Sequence, residues 1–105
     1  MNRFAAVLLV GLCTSTGARP TALTSIDTGY TISKVRAASV AGETRVVASS
    51  YEGTLLGIDP DGACLWTNQL SGHMNRDLWC ADLTGDGSDE ILAANADGTL
   101  YCLDS

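Results

Sequence analysis

From about residue 35 onward the chain alternates short apolar runs with polar, glycine-bearing turns. Val46-Val47 and Leu55-Leu56 sit in stretches rich in β-formers, and Glu52-Gly53, Asp59-Pro60-Asp61-Gly62 and Asp97-Gly98 punctuate them. Runs of this length bounded by Gly, Pro and Asp read as strands joined by tight turns. The pattern predicts strands near 35–41, 45–51, 54–59 and 63–68, then near 78–82, 90–95 and 99–103. Ile26 to Lys34 adds one further candidate strand. After the first 18 residues no segment sustains a helical period, so the expected class is all-β.

The strand pattern repeats. Glu52-Gly53-Thr54-Leu55-Leu56-Gly57-Ile58-Asp59 matches Asp97-Gly98-Thr99-Leu100-Tyr101-Cys102-Leu103-Asp104 at an offset of 45. Arg45-Val46-Val47-Ala48-Ser49 matches Glu90-Ile91-Leu92-Ala93-Ala94 at the same offset. Ala38-Ser39-Val40-Ala41-Gly42 matches Ala81-Asp82-Leu83-Thr84-Gly85 once two extra residues are granted to the second copy. A period of 40 to 50 residues with several short strands marks propeller blades. The expected architecture is a partial β-propeller of about two antiparallel blades. Residues 19–34 form an N-terminal segment, 35–70 the first blade, and 71–105 a second blade lacking its fourth strand. Closed propellers use about four to eight blades, so a fragment of a longer protein, or self-association through the open edge strand, is expected.

The first 18 residues change the setting. Arg3, the apolar run Phe4 to Leu12 and the small residues Thr16-Gly17-Ala18 have the layout of a signal peptide cleaved after Ala18. The apolar run is too short to span a bilayer, which takes about 20 residues. A secreted, cell-surface or periplasmic location follows, with no membrane insertion of the mature chain. Bulky Leu12 before Cys13 argues against lipidation. Removing Arg3 leaves five Lys/Arg against twelve Asp/Glu, moving the formal charge from −6 to −7. That balance excludes nucleic acid as a partner and electrostatic docking on anionic membranes.

Cys64, Cys80 and Cys102 remain after cleavage. Cys80 and Cys102 fall on the first and third strands of one blade, about 9–10 Å apart and too far to bridge. They are expected as buried free thiols acting as small hydrophobes. With a single His and no C-x-x-C, a zinc site is not expected.

The candidate chemistry lies in Asp82-Leu83-Thr84-Gly85-Asp86-Gly87-Ser88-Asp89-Glu90-Ile91. Asp82, Thr84 and Asp86 would supply side-chain oxygens, Ser88 its carbonyl and Glu90 a closing carboxylate, alternate residues pointing inward around the Gly87 turn. A hard cation such as calcium takes six to eight oxygens at about 2.3–2.6 Å. An EF-hand is excluded, because its twelfth position is Ala93 and strands flank the loop. The first copy has only Ala41-Gly42-Glu43-Thr44 at this place, so one site per chain is expected.

This decapeptide resembles the FG-GAP/VCBS repeat, a calcium-binding propeller blade. The resemblance implies Ca2+ bound by Asp82, Thr84, Asp86 and Glu90, with Ser88 through its carbonyl. Thr84 and Glu90 depart from the commoner Asn/Asp and Asp. Gly57-Ile58-Asp59-Pro60-Asp61-Gly62-Ala63-Cys64-Leu65-Trp66 is similar to the PQQ-like propeller repeat, in which a Trp ending the fourth strand docks between blades. Trp66 and Trp79, with Tyr30, Tyr51 and Tyr101, are therefore expected to fill blade interfaces rather than form a sugar-stacking platform.

No catalytic set emerges. Ser71, His73 and Asp77 crowd one loop with nothing to orient them as a triad. The leading expectation is an exported, calcium-stabilised, non-catalytic module that binds a protein or glycan outside the cell, and not an enzyme. The alternatives are the propeller part of an exported polysaccharide-degrading or quinone-dependent enzyme, with active residues outside this chain, or an envelope assembly scaffold.

Overall fold

The computed structural model describes residues 24–105. The expected leader and Cys13 lie outside the described residues. Among the described residues seven strands run in chain order: β1 Ile32–Val40, β2 Glu43–Ser50, β3 Thr54–Ile58, β4 Cys64–Gln69, β5 Asn75–Ala81, β6 Glu90–Asn95 and β7 Leu100–Asp104. They form a four-stranded sheet, β1-β2-β3-β4, and a three-stranded sheet, β5-β6-β7, antiparallel throughout. The chain is all-β, a partial propeller of two consecutive up-and-down sheets.

One expected strand is absent. Between Ile26 and Thr31 the backbone turns instead. Gly29 N–H donates to Asp27 Oδ1 at 3.0 Å, and Tyr30 N–H to Thr28 Oγ1 at 3.1 Å. Short Asp and Thr side chains offer the backbone local partners that compete with a ladder. Only from Ile32 does the segment enter β1.

The repeat read from the sequence is also a repeat of backbone detail. β1 carries a register irregularity between Ile32 and Lys34, and β5 one between Asn75 and Asp77, 43 residues on. Tyr51 N–H donates to Thr31 C=O at 2.9 Å, and Ala96 N–H to Met74 C=O at 2.9 Å. Gly53 N–H reaches Ser50 C=O at 3.2 Å, and Gly98 N–H reaches Asn95 C=O at 3.1 Å. The offset is 43 before the acidic loop and 45 after it, so the two extra residues fall within the loop.

The main core lies between the sheets. Ala38, Val47 and Leu55 of the first sheet meet Leu78, Ile91 and Ala93 of the second, with Trp66, Cys80, Tyr101 and Leu103 at the margins. Each fully buried Leu or Ile contributes about 1.5–3 kcal/mol of transfer free energy. Cross-strand pairing puts these residues on one face of each sheet, for example Val47 opposite Gly57 and Leu78 opposite Ala93. The other face of the first sheet holds a second cluster, Ala48, Leu56 and Ile58. Trp66 lies flat over Gly57, where an added Cβ would come within 2.3 Å of the indole.

Among the described residues, buried polar side chains are all paired. Asn95 Nδ2 donates to Asn75 Oδ1 at 2.8 Å and to His73 C=O at 2.9 Å, and Ser71 Oγ donates to Asn95 Oδ1 at 2.9 Å. This network ties the inter-sheet connection to the second sheet and meets the demand that buried polar atoms find partners.

Two further expectations are corrected. Trp79 is 59% exposed, and Tyr30 and Tyr51 are exposed, so these aromatics do not fill the described interface. Trp79 projects from the face of β5 opposite Leu78, outside the core between the sheets, where only the long Arg36 side chain of β1 reaches its ring. Cys64 and Cys102 are exposed and Cys80 is half-buried, so the thiols are free but not sequestered. The reason is alternation: Cys102 pairs with Leu92, and Leu92 with Trp79, all on that same outward face.

Candidate metal loop at the seam between sheets

Residues 82–89 link β5 to β6 and fold back on themselves through carboxylates. Asp82 Oδ1 accepts Gly85 N–H at 2.8 Å, and Asp82 Oδ2 accepts Gly87 N–H at 2.9 Å. The Gly87 and then the Gly85 amide hold the Asp82 carboxyl below its ordinary range. Asp86 Oδ1 accepts Ser88 N–H at 2.9 Å. Glu90, at the start of β6 and 6% exposed, accepts the Leu83 and Thr84 amides through Oε1 at 2.7 and 3.2 Å.

The fold brings Asp82, Asp86 and Glu90 together, one carboxylate oxygen from each lying within 4.8 Å of the others. Like charges this close repel, and a cation relieves the repulsion. Thr84 enters the loop through its amide, bonded to Glu90. Ser88 turns its hydroxyl away and accepts Ala41 N–H at 3.0 Å. The set Asp82, Thr84, Asp86, Ser88 and Glu90 is thus one continuous turn in which three members converge through carboxylates. The first sheet has Arg45 where the second has Glu90, and its hairpin closes in two residues, so it builds no such cluster.

Asp89 was missed by the sequence reading. Its Oδ2 accepts Ser39 N–H at 2.8 Å, and its own N–H donates to Ser39 C=O at 2.7 Å. Ser105 Oγ donates to its carbonyl. The loop is thereby clamped onto the β1–β2 hairpin. That hairpin turns at Ala41 and Gly42, both with positive φ, as a two-residue turn of matching twist requires. The signal for the clamp was the two-residue lengthening of the second copy.

No catalytic triad forms from Ser71, His73 and Asp77. Ser71 Oγ is engaged with Asn95 and with the His73 amide, and Asp77 Oδ1 accepts Leu78 N–H at 2.9 Å. Asp77 also pairs with Arg36 at 3.8 Å, and that guanidinium sits 5.7 Å from the Trp79 ring centroid. Among the described residues no helix is long and apolar enough to cross a membrane.

Comparison with known proteins gives this architecture a family. Residues 45–105 match the model of the lambda-carrageenase β-propeller domain. Two curated lambda-carrageenases, from a Pseudoalteromonas species and from Pseudoalteromonas carrageenovora, are each 46% identical over 102 residues. The aligned stretch covers 96% of this chain and 11% of each relative. No solved structure matches. The family named is a β-propeller, as the repeat implied, and its description is neither FG-GAP/VCBS nor PQQ-like. The expectation of no enzyme is overturned, since both relatives carry the name of an enzyme. The chain spans only 11% of the length of these relatives, and its repeated strand-and-turn pattern carries no catalytic set from which an enzyme could have been read. With more than half its residues matched, the chain belongs to the lambda-carrageenase β-propeller domain family.

Proposed function

We propose that the chain is a propeller portion of an exported polysaccharide-degrading enzyme that acts on carrageenan, braced by calcium in the loop from Asp82 to Glu90. The observation that carries the first half is the 46% identity, over nearly the whole chain, to two proteins named lambda-carrageenase. Of the enzyme classes the sequence left open, this favours polysaccharide degradation over quinone-dependent oxidation. It also favours a glycan partner over a protein one. The signal-peptide layout of residues 1–18 supports export to where such a polymer is met.

The loop chemistry supports a bracing rather than an acid–base role. A glycosidase general acid needs a carboxyl whose pKa is raised. Here the amides of Gly87 and Gly85 push Asp82 the other way. Asp82, Asp86 and Glu90 would hold Ca2+, with Thr84 and the Ser88 carbonyl completing an oxygen shell. The ion would supply fixed positive charge at the seam, and the chain's own Ser88 and Asp89 would pass that order to the first sheet.

The test is a chimera in which this chain replaces the aligned stretch of the P. carrageenovora enzyme. It is expected to release reducing ends from lambda-carrageenan and to lose thermal resistance on chelation. A chimera that melts cooperatively at the parent temperature yet leaves lambda-carrageenan intact would overturn the enzyme reading.

A further inference from the structure

The two ends of the sheets differ in charge. One end holds the β1–β2 turn, the β3–β4 turn and the acidic loop, and it carries Glu43, Asp59, Asp61, Asp82, Asp86 and Asp89, with Arg45 as the cation among them. The other end holds the starts of β1 and β5 and the β2–β3 and β6–β7 turns. Lys34 and Arg36 of β1 and Arg76 of β5 lie toward this end, and β1 packs against β5. Arg36 is committed, to Asp77 at 3.8 Å and to the Trp79 ring. Lys34 and Arg76 are exposed, and among the described residues neither makes an ion pair. Arg76 stands at the register irregularity of β5, between Asn75 and Asp77. A bulge of this kind re-aims a side chain. Its counterpart in β1 is Ser33, half-buried and bonded to Ser49 Oγ at 2.8 Å. The second sheet thus turns the same bulge into an exposed cation. The carboxylates of the turns here are engaged by donors: Glu52 by Thr31 N–H at 3.0 Å, and Asp97 by Thr99 N–H and the Tyr101 hydroxyl, both at 2.8 Å. Tyr30, just before β1, and Tyr51, just after β2, are 37% and 50% exposed. Tyr51 N–H donates to Thr31 C=O at 2.9 Å, which ties their two segments together.

We infer that this end, through Lys34, Arg76, Tyr30 and Tyr51, is a binding surface for a sulfated galactan chain. The inference rests on the polysaccharide reading above and adds which end of the sheets meets the polymer and by which groups. Lambda-carrageenan carries sulfate esters on galactose rings, so its recognition takes cations for the esters and flat apolar surfaces for the sugar faces. An ammonium and a guanidinium give charge-assisted hydrogen bonds to such oxygens, the guanidinium through a planar fork. A tyrosine ring offers an apolar face with a polar tip, which suits a wet interface. The chain as a whole has a formal charge of −6. A polyanion is therefore repelled by the acidic end and received where uncommitted cations stand beside carboxylates already engaged. The loop proposed to hold calcium lies at the opposite end, so the two roles are separable.

The test is affinity electrophoresis of the chimera described above, through gels containing lambda-carrageenan or its chemically desulfated form, with steady-state kinetics in parallel. Lys34→Gln combined with Arg76→Gln is expected to weaken retention by lambda-carrageenan about fivefold, as the loss of two exposed charge contacts would. Retention by the desulfated polymer should stay unchanged, and KM should rise with kcat unaltered. Arg45→Gln, at the acidic end, is the control and should change none of these. Unchanged retention in the double variant, or an equal loss in Arg45→Gln, would overturn the inference. Tyr51→Ala should weaken retention by both polymers, and no effect on either would overturn the stacking role. If the chimera does not fold, the chain itself decides, because Lys34 is its single lysine. Acetylation of Lys34, followed by peptide mass spectrometry, should slow when lambda-carrageenan is added, and an unchanged rate would overturn the inference. Retention and acetylation are independent of activity. An inactive chimera whose retention still needs Lys34 and Arg76 sinks the enzyme reading alone, and an active chimera indifferent to both sinks this inference alone.

Discussion

Ser39 and Asp89 hold each other through two hydrogen bonds, Ser39 N–H to the Asp89 carboxylate at 2.8 Å and Asp89 N–H to the Ser39 carbonyl at 2.7 Å. They lie 50 residues apart in sequence and join the two sheets at the rim where the acidic loop begins its return. A backbone amide bonded to a carboxylate is a charge-assisted contact, stronger than a neutral one. Asp89→Ala is expected to destabilise the chain by about 1–3 kcal/mol, the usual range when such a partner is removed. Urea denaturation checks this, and Asp61→Ala, in an exposed turn of the first sheet, should change little.

The equivalent turns at Gly53 and Gly98 give a matched pair. Both have strongly positive φ, 93° and 91°. A Cβ at Gly98 meets open space, whereas one at Gly53 would lie 1.9 Å from the Ser71 carbonyl oxygen. Gly98→Ala should cost only the left-handed conformation, about 1–2 kcal/mol. Gly53→Ala should cost about 1–3 kcal/mol more, because the connection to the second sheet has to move. Equal unfolding midpoints for the two variants would contradict this packing.

Much of this fold is legible in the sequence, for a physical reason. Period-2 patterning and glycine turns are local, so Val46-Val47, Leu55-Leu56 and Ile91-Leu92 announce strands wherever they stand. The 45-residue offset then pairs the copies without any knowledge of the fold. What was not legible depends on distant neighbours. Trp79 and Cys102 look like core residues, and only the outward register of β5 and β7 leaves them in solvent. Ser39 carries no mark of its contact with Asp89, since its backbone makes it. Asp27 and Thr28 bend a segment whose residues also suit a strand. At the loop, alternation correctly brings Asp82, Asp86 and Glu90 together, yet it does not reveal that Ser88 spends its hydroxyl on Ala41. The family was not legible either, because an acidic glycine turn before a strand suits many propellers.

Acid should loosen the loop in a defined direction. The Asp82 carboxyl is held below its ordinary value of 3.8 by the Gly87 and Gly85 amides. A depressed folded pKa contributes stability above the ordinary value, and that contribution is lost as the pH falls through the folded one. Glu52, held down by the Thr31 hydroxyl and amide, acts in the same direction. Unfolding midpoints measured from pH 6 down to pH 2 should therefore fall below about pH 4, within the carboxylate range. Asp82→Asn should flatten that fall in part, and an unchanged pH profile would show that the carboxylate is not what orders the turn.

Calcium titration of the chain by calorimetry, with thermal melting in parallel, tests the proposed brace most directly. One ion is expected to bind per chain with measurable heat. Binding only to the folded loop should add about 2.7 kcal/mol at 100 times the dissociation constant. For a domain of this size that raises Tm by about 10–20 °C, at about 4–8 °C per kcal/mol. Magnesium should substitute poorly, since it holds its waters in a smaller octahedral shell. Asp86→Ala should abolish the response and Asp61→Ala should keep it. Absence of both heat and melting shift in the parent chain would contradict the proposal and leave Asp82, Asp86 and Glu90 as the corners of a polar turn.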